Sequence, residues 1–328
     1  MSPGFAAAGV WTGTQLRGGI GDMGHVVVVG SINADLGVQV ERFPKPGETL
    51  TASGGAFSPG GKGANQALAA ALHGAQVSMV GAVGQDGAAA EALALLEEHG
   101  VDLASVAHRE GATGIAVVTV DANGENQILV IPGANATMDA DAVNEHADLV
   151  TGADVVVLQG EIPREGIERA ARLAGGRLVL NLAPVMELDP EVVLLADPLV
   201  VNEHEATLLH RQLVGGEAPG DEQAALAALL RAGCHSVVLT LGARGALMGS
   251  GPGVEQVDSR RVTAVDTTGA GDAFVGVLAA GLAQGVELVA AARAAARVAA
   301  GVVQYPGAQA SYVQAAGERD GDAAGRTP

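Results

Sequence analysis

Short apolar runs alternate with helical stretches along most of the chain, and this alternation constrains the fold more than any other feature. The apolar runs cover residues 25–31, 77–83, 154–159, 177–181, 198–202 and 236–242, and the helical stretches cover 63–73, 86–99, 163–174, 203–213 and 221–232. Strands that are apolar on both faces and separated by helices form parallel sheets with helices on both sides. The pattern therefore predicts an α/β fold of three layers with a mostly parallel central sheet.

Two segments, 36–57 and 112–131, break this alternation. Both have strand-like residues with no helix between them. The dipeptide Asn123-Gly124 in the second segment is a strong signal for a β-hairpin. We expect the two segments to form a small antiparallel β-sheet that projects from the core, and a projecting sheet beside an active site can act as a lid.

The length of 328 residues fits one large α/β domain. We expect this domain to span residues 25–316. Residues 1–24 are rich in glycine and lack the apolar stretch of a secretory signal, so they are predicted to be a flexible leader, with Met23 as an alternative start. The polar residues 317–328 are predicted to be a flexible tail.

The charge balance argues against two classes of partner. With 37 acidic and 18 basic residues the net charge is −19, which disfavours binding to nucleic acid and to anionic membranes. An anionic substrate is still possible, because local dipoles and single basic side chains can dominate one pocket. Cys234 is the only cysteine, so an intrachain disulfide and a cysteine-rich zinc site are excluded, and the cytoplasm is the expected location.

The segment VDTTGAGDAFVGVLAAGL, residues 265–282, has the features of a phosphate site. Apolar residues from Phe274 onward have helical spacing, so the glycine-rich turn before them leads into a helix N-terminus. The first N–H groups of a helix lack partners and carry positive potential, so an anion can bind to the bare backbone near Gly269 and Gly271. Asp272 is suited to take a proton from a hydroxyl group that attacks phosphorus. An acidic residue is also common here without any catalytic role.

A second glycine-rich turn opens a helix in SPGGKGANQALAAALHGA, residues 58–75. Lys62, Asn65 and Gln66 stand at its start, and Lys62 and Asn65 are donors suited to polyhydroxyl or anionic ligands. The spacing does not match the phosphate-binding loop GxxxxGK[ST]. The alternative interpretation is a solvated helix cap.

Polar residues follow the first apolar strand in VVVVGSINADLGV, residues 26–38. Ligands of parallel sheets bind beyond the carboxyl ends of the strands. Asn33 and Asp35 point to the same side of an extended chain and can bind adjacent sugar hydroxyls. The second glycine of a dinucleotide-binding fingerprint is missing, which disfavours an NAD-dependent enzyme. The alternative is that these residues only form a turn.

Taken together, GSINAD, GGKGANQA and DTTGAGDAF stand in the order, and near the spacing, of the ribokinase-like carbohydrate kinase family. The chain resembles that family from about Val26 to Ser311, and the segments NEHE (202–205), TLGARG (240–245) and GAQ (307–309) agree. The resemblance implies the ribokinase-like α/β/α core with a β-sheet lid, and transfer of the γ-phosphoryl group of ATP to a primary sugar hydroxyl. Because the lid of such kinases often clasps a second copy, it also implies a homodimer.

The resemblance also implies roles for individual residues. The sugar would be bound by Asn33, Asp35, Gly61, Lys62, Gly63, Asn65 and Glu161. Asp272 would be the catalytic base, and the anion hole would be formed by the amides of Gly269, Ala270 and Gly271. ATP and Mg²⁺ would be bound by Asn202, Glu205, Thr240, Gly242, Gly245 and Gly271. A K⁺ site would be formed by Asp266, Thr268, Val302, Tyr305, Gly307 and Ser311.

Several alternatives stay open. Family members commonly have Asn or His beside the nucleotide base where this chain has Ala296, which leaves the adenine contact in doubt. Asn202 and Glu205 can also be read as capping residues of a helix. The lid contains only two aromatic residues, Phe43 and Phe57, which favours a small polyol such as ribose over fructose, other pentoses or adenosine. A catalytically silent sugar-binding regulator is disfavoured because the glycine turn and its carboxylate are both present.

Overall fold

The computed structural model describes residues 24–324 except Gly124 and Pro252. Almost all of the predicted leader, residues 1–24, lies outside these residues. The strands are β1 (His25–Val29), β2 (Asn33–Gln39), β3 (Gly54–Gly60), β4 (Gln76–Gly84), β5 (Val106–Arg109), β6 (Ile115–Val120), β7 (Asn126–Ile131), β8 (Val155–Gln159), β9 (Arg177–Asn181), β10 (Leu199–Asn202), β11 (Val237–Thr240), β12 (Ala246–Gly249) and β13 (Glu255–Val257).

The helices lie between these strands and after the last of them. They are α1 (Lys62–Ala71), α2 (Gly87–Glu98), α3 (Ala140–Asn144), α4 (Ala147–Gly152), α5 (Arg164–Leu173), α6 (Pro190–Val193), α7 (Glu203–Leu213), α8 (Glu222–Arg231), α9 (Ala270–Ala283), α10 (Leu288–Val302) and α11 (Gln309–Ala324). Short 3₁₀ turns occupy Gly133–Thr137 and Gly242–Arg244.

The central sheet has the strand order β13-β12-β11-β10-β9-β8-β1-β4-β5. The strands from β5 to β11 are parallel, and β12 and β13 are antiparallel to their neighbours. The short turn between β11 and β12 leaves no room for a crossover helix, so the chain must reverse there. The predicted α/β fold with a mostly parallel central sheet is confirmed.

Two apolar layers flank this sheet. Successive side chains of a strand point to opposite faces, so Val26 and Val28 pack with α1, α2 and α9–α11, whereas Val27 and Val29 pack with α3–α8. Helices α1 and α9 approach closely at Gly276, where an added Cβ would lie 2.7 Å from the Ala69 side chain. This close packing brings the N-termini of α1 and α9, and with them two of the predicted motifs, to the same edge of the sheet.

The lid is a separate sheet with the order β3-β2-β6-β7. Strands β6 and β7 form the predicted hairpin, closed by the Asp121 N–H, which donates to the Glu125 carbonyl at 3.0 Å. The lid sheet is mainly antiparallel, as expected, but it contains one parallel pair, β2 with β6. Between β2 and β6 the chain passes through the core, and this long connection allows β6 to run parallel to β2.

The C-terminal part of the domain is helical for longer than expected. Helix α11 runs to Ala324, so it covers residues 317–324 of the segment that we predicted to be a flexible tail. The last four residues, 325–328, lie outside the described part of the chain. Among the described residues, no helix is long and apolar enough to cross a bilayer.

Candidate active site

The predicted base, Asp272, lies in the first turn of α9 at the edge of the sheet where the parallel strands end. Its side chain is buried, with 7% exposure. The Asn65 amide donates to its Oδ2 at 3.0 Å, and the Gln66 amide donates to its Oδ1 at 2.9 Å. Both donors come from the first turn of α1, so the α1–α9 contact fixes the orientation of this carboxylate.

The turn before Asp272 exposes backbone donors. Gly269, the N-cap of α9, has the left-handed conformation (φ 73°), which only glycine adopts readily. In the described chain, no acceptor lies within hydrogen-bonding distance of the N–H groups of Gly269, Gly271 and Asp272. The Ala270 amide differs from our expectation, because the fold of the turn directs it to the Thr267 carbonyl at 3.2 Å. The free donors are therefore those of Gly269 and Gly271, joined by that of Asp272.

A second set of polar groups surrounds the start of α1. Glu161 Oε2 accepts hydrogen bonds from the Ser31 hydroxyl at 2.6 Å and from the Lys62 backbone N–H at 3.1 Å. The Asn33 side chain is buried on β2, and its Oδ1 accepts from the Asn135 amide at 2.8 Å. These contacts join the ends of β1, β2, β8 and α1 around one space.

Two glycines make this arrangement possible. Gly61 has φ 88° at the N-cap of α1, and an added Cβ would lie 2.8 Å from the Asn33 backbone nitrogen. The Gly63 amide donates to the Ser31 hydroxyl at 3.3 Å, and a Cβ there would lie 2.7 Å from the Ser31 nitrogen. The glycines of the predicted motif thus act through close backbone packing beside the polar groups.

The charges in this space influence one another. Burial, together with the negative charges of the neighbouring Glu161 and Asp272, raises the pKa of Asp35 to about 6. The pKa of Lys62 is raised mainly by the negative charge of Asp272 and, to a smaller extent, by Glu161. One ammonium group therefore faces several carboxylates, and Asp35 Oδ1 is buried without a hydrogen-bond partner among the described residues. Such a buried, unpaired acceptor is suited to a ligand that carries hydroxyl groups.

A cavity of about 670 Å³ opens on the other side of the glycine turn. Its lining is mainly apolar around α10 and polar near the ends of β10 and β11. Among the predicted residues it includes Asn202, Thr240, Gly242, Gly245, Ala270, Gly271 and Ala296. The small side chain of Ala296 leaves this part of the wall without a hydrogen-bonding group, as the sequence predicted.

Asn202 and Glu205 form a capping box at the start of α7. Asn202 Oδ1 accepts from the Glu205 N–H, and Glu205 Oε2 accepts from the Asn202 N–H, both at 2.8 Å. The capping interpretation is thus correct, but it leaves Glu205 Oε1 without a donor among the described residues. Burial raises the pKa of Glu205. One free carboxylate oxygen suits Mg²⁺, which typically binds through one or two carboxylates together with substrate phosphates.

The residues predicted for a monovalent cation also come together. Asp266 Oδ1 accepts from the Thr268 N–H at 2.9 Å, and its Oδ2 accepts from the Gly307 N–H at 2.8 Å. Burial opposes the ionisation of Asp266, but these hydrogen bonds outweigh it and keep its pKa below the ordinary value. At the end of α10, near Gly307, the Tyr305 N–H donates to the Val302 carbonyl at 3.1 Å. The two segments together supply carboxylate and carbonyl oxygens, a donor set suited to a hard cation.

Ser311, the last residue predicted for this site, is completely buried in the first turn of α11. Its hydroxyl donates to the Ala308 carbonyl at 2.7 Å. The oxygen of that hydroxyl keeps its acceptor lone pairs, so the contact does not exclude a role in cation binding.

Sequence reasoning missed several buried polar side chains around the base. Gln66 stood in a recognised motif but received no role, and Gln159, Asn181, Gln309 and Tyr312 were not considered. Gln159 and Gln309 are 1% exposed. The signal available in the sequence was an amide residue inside or just after an otherwise apolar strand, as in DVVVLQ and RLVLN. Such residues are rarely buried without a partner.

Comparisons with known proteins agree with this geometry. The model of the family described as pfkB family carbohydrate kinase matches residues 23–315. The ribokinase of Schizosaccharomyces pombe is 36% identical over 299 residues, which cover 88% of this chain and 94% of that protein. The deoxyribokinase of Salmonella typhi is 35% identical over 292 residues, which cover 88% of this chain and 95% of that protein.

Solved structures give the same result. The structure of Arabidopsis thaliana ribokinase complexed with ribose and ATP superposes with a TM-score of 0.79 at 32% identity. The match covers 90% of this chain and 99% of that one. The similarity therefore extends over the core and the lid.

Proposed function

The chain belongs to the pfkB family of carbohydrate kinases, and from this premise we propose that it transfers the γ-phosphoryl group of ATP to the primary 5-hydroxyl of D-ribose. The products are ribose 5-phosphate and ADP. The enzyme is a phosphotransferase with an alcohol group as acceptor.

One observation carries this proposal. The buried Asp272 carboxylate, held by Asn65 and Gln66 of α1, follows directly on the glycine turn, and that turn also lines the cavity near Ala296 through Ala270 and Gly271. A hydroxyl acceptor on one side and a nucleotide on the other would meet at this turn. The arrangement of a base, free backbone donors and two adjoining spaces is what in-line phosphoryl transfer requires.

In the proposed mechanism, Asp35, Asn33 and Glu161 accept hydrogen bonds from sugar hydroxyls and orient the primary hydroxyl towards Asp272. Asp272 takes the proton as the hydroxyl oxygen attacks the γ-phosphorus, and the bond to the β–γ bridging oxygen breaks. The N–H groups of Gly269 and Gly271 stabilise the charge on the transferring group. Closure of the lid sheet excludes water, which limits wasteful hydrolysis of ATP.

Two cations fit the residues near this site. Glu205, held by its capping box with Asn202, would hold Mg²⁺ with the ATP phosphates, where the ion neutralises phosphate charge. The segment 266–268 and the loop that contains Gly307 would together hold K⁺. Because the segment 266–268 leads into the turn at Gly269, an ion there would support the shape of the anion hole.

The lid supports a proposal of homodimerisation. Strand β7 is an edge strand, and its apolar side chains are exposed on both faces, with Leu129 at 71% and Ile128 at 54% exposure. Such a surface is typical of an interface. Light scattering should give a dimer mass that falls to the monomer mass in Leu129→Lys. We also propose a cytoplasmic location, where ATP is available.

A second sugar has specific support. The deoxyribokinase relative is nearly as similar to this chain as the ribokinase relative, and 2-deoxyribose has the same 5-hydroxyl. The two sugars differ only in the 2-hydroxyl, so kcat/KM for ribose over 2-deoxyribose measures how strongly the polar space binds that group.

The proposed function is tested by ADP release with ribose, 2-deoxyribose, fructose and adenosine, each in K⁺ and in Na⁺ buffers. We expect the highest kcat/KM for ribose, a faster rate in K⁺, and a 5-phosphate by ³¹P NMR. Turnover of adenosine alone would refute the assignment to a sugar. Equal rates in the two salts would remove the K⁺ site.

A further inference from the structure

A connected set of buried amide side chains surrounds the carboxylate of Asp272. The Gln66 amide nitrogen donates to Asp272 Oδ1 at 2.9 Å and to Asn181 Oδ1 at 3.0 Å, while its oxygen accepts from the Gln159 amide at 2.8 Å. On the other side, the Gln309 amide donates to Asn65 Oδ1 at 3.1 Å, and Asn65 donates to Asp272 Oδ2 at 3.0 Å. We call this set the amide network. Its five amide side chains come from α1, β8, β9 and α11.

A contact outside the network fixes the direction of the hydrogen bonds around Gln66. The Asn181 amide nitrogen donates to the Val200 carbonyl at 3.1 Å, so its oxygen must face Gln66. Gln159 presents its nitrogen to the Gln66 oxygen, so the Gln66 nitrogen must face both Asn181 and Asp272.

We propose that Gln66 is a positioning residue for the base. Its N–H group donates to Oδ1, holds the Asp272 carboxylate in one orientation and stabilises the ionised form that accepts the proton from the attacking hydroxyl. Gln309 contributes through Asn65, which donates to Oδ2. The inference rests on the proposed function, because it deepens the role of the same site.

Burial of the amide network costs free energy, and a purely structural role does not account for that cost. Gln66, Gln159 and Gln309 are all at most 1% exposed, and the Oε1 atoms of Gln159 and Gln309 have no partner among the described residues. Burying amide groups beside a charge is unfavourable unless their hydrogen bonds repay it. Apolar side chains would pack α1 against the sheet without this cost.

The titratable groups that face Asp272 come from every element packed around it. They are Lys62 on α1, Asp35 on β2, Glu161 after β8, Glu205 on α7 and Tyr312 on α11. None of them is changed by a substitution at Gln66. A shift in the pH dependence of kcat therefore reports on the contact between Gln66 and Asp272.

The test uses Gln66→Met, which keeps the volume and removes the donor. Loss of a hydrogen bond to a charged group corresponds to a fall in kcat of about 10- to 100-fold, with KM for ribose and ATP changed by less than about threefold. The acidic limb of the kcat profile should move up by about one pH unit, because the ionised form loses a donor. The matched control on α1 is Leu68→Met, whose side chain is buried in the core; it should keep the wild-type kcat and acidic limb.

Three outcomes contradict the inference: a wild-type kcat and acidic limb in Gln66→Met, an equal loss in Leu68→Met, or a loss confined to KM. If Gln66→Met does not fold, Gln309→Met provides the same test through Asn65, with an expected fall of about 3- to 10-fold. An inactive wild-type protein would instead refute the proposed function, whereas an active wild type with an unaffected Gln66→Met refutes the inference alone.

Discussion

The two sides of the glycine turn differ in how many charged and polar side chains line them in the absence of a ligand. The side that we propose to bind the sugar, called the sugar side, is buried and charged, with Asp35, Lys62, Glu161 and Asp272 within mutual electrostatic influence. The side that we propose to bind the nucleotide, called the nucleotide side, is an open cavity with a largely apolar wall. A preformed polar site discriminates strongly between ligands, because its buried polar groups stay unpaired when the wrong ligand binds. An apolar wall discriminates only weakly between ligands. We therefore expect substitutions and pH to act strongly on the sugar side and mildly on the nucleotide side.

The largest effect is expected at the base itself. Asp272→Asn removes the proton acceptor but keeps the shape of the side chain, so kcat should fall by about 10²- to 10⁴-fold. Ribose binding, measured by calorimetry, should stay detectable because the other sugar-side groups are intact. Near-normal turnover in this variant would show that the proton leaves by another route. Asp272 would then not explain why the sugar side is more sensitive to substitution than the nucleotide side.

The next effect concerns two glycines of the same turn. An added Cβ at Gly271 meets no atom within 4 Å, whereas at Gly269 it would lie 2.8 Å from the Ala308 Cβ and would need the left-handed conformation. Gly271→Ala should therefore keep the melting temperature and lower kcat by about 100-fold, because the methyl group blocks phosphate from the amides. Gly269→Ala should lower both kcat and the melting temperature.

Thermal unfolding and steady-state kinetics of the two variants separate these effects. Equal melting temperatures for both would contradict the strained conformation at Gly269. Wild-type kcat in Gly271→Ala would show that phosphate does not approach that amide. The glycine turn would then not be the place where the sugar side and the nucleotide side meet.

A smaller effect is expected from pH on the sugar side. Burial and then the charge of Glu161 raise the pKa of Asp35 to about 6, and sugar hydroxyls bind best to the ionised form. KM for ribose should thus rise as the pH falls through 6, by about tenfold per unit at most, while KM for ATP stays nearly constant. In Asp35→Asn this pH dependence should vanish and KM for ribose should be high at every pH.

The sign of the stability effect at Asp35 is opposite to that of an ion-paired carboxylate. Because the folded-state pKa lies above the ordinary value of 3.8, the folded protein binds more protons between these values and loses stability as the pH rises through that range. Asp35→Asn should therefore unfold at a higher temperature than the wild type at pH 8, although it binds ribose less well. A lower melting temperature would contradict the raised pKa.

Much of the fold and part of the site could be predicted from local patterns. The apolar runs predicted the parallel sheet, and the glycine turns predicted the helix N-termini that carry Lys62 and Asp272, which the structure brings close together. Local patterns did not reveal the partners of Gln66, because those depend on how α1 packs against α9 at Gly276. The parallel pairing of β2 with β6 depends in the same way on the path of the chain between them.

The same limit applies to the Ala270 amide. From sequence, all first-turn amides of α9 are equivalent donors. In the structure the left-handed conformation of Gly269 folds the turn back, so that the Ala270 N–H reaches the Thr267 carbonyl while the Gly271 N–H stays free. The conformation of one residue decides which donors remain, and sequence spacing alone does not contain that information.

The smallest effect is expected on the nucleotide side, at Ala296. This residue lines the cavity and offers no hydrogen bond, so Ala296→Asn should add one contact to the purine and lower KM for ATP by about 2- to 5-fold. The ratio of kcat/KM for ATP over GTP serves as the control, because a specific contact with adenine changes that ratio and a general change in the cavity does not. KM for ribose should stay at the wild-type value. If KM for ribose changed as much as KM for ATP, the two sides of the turn would be coupled and would not respond independently to substitution.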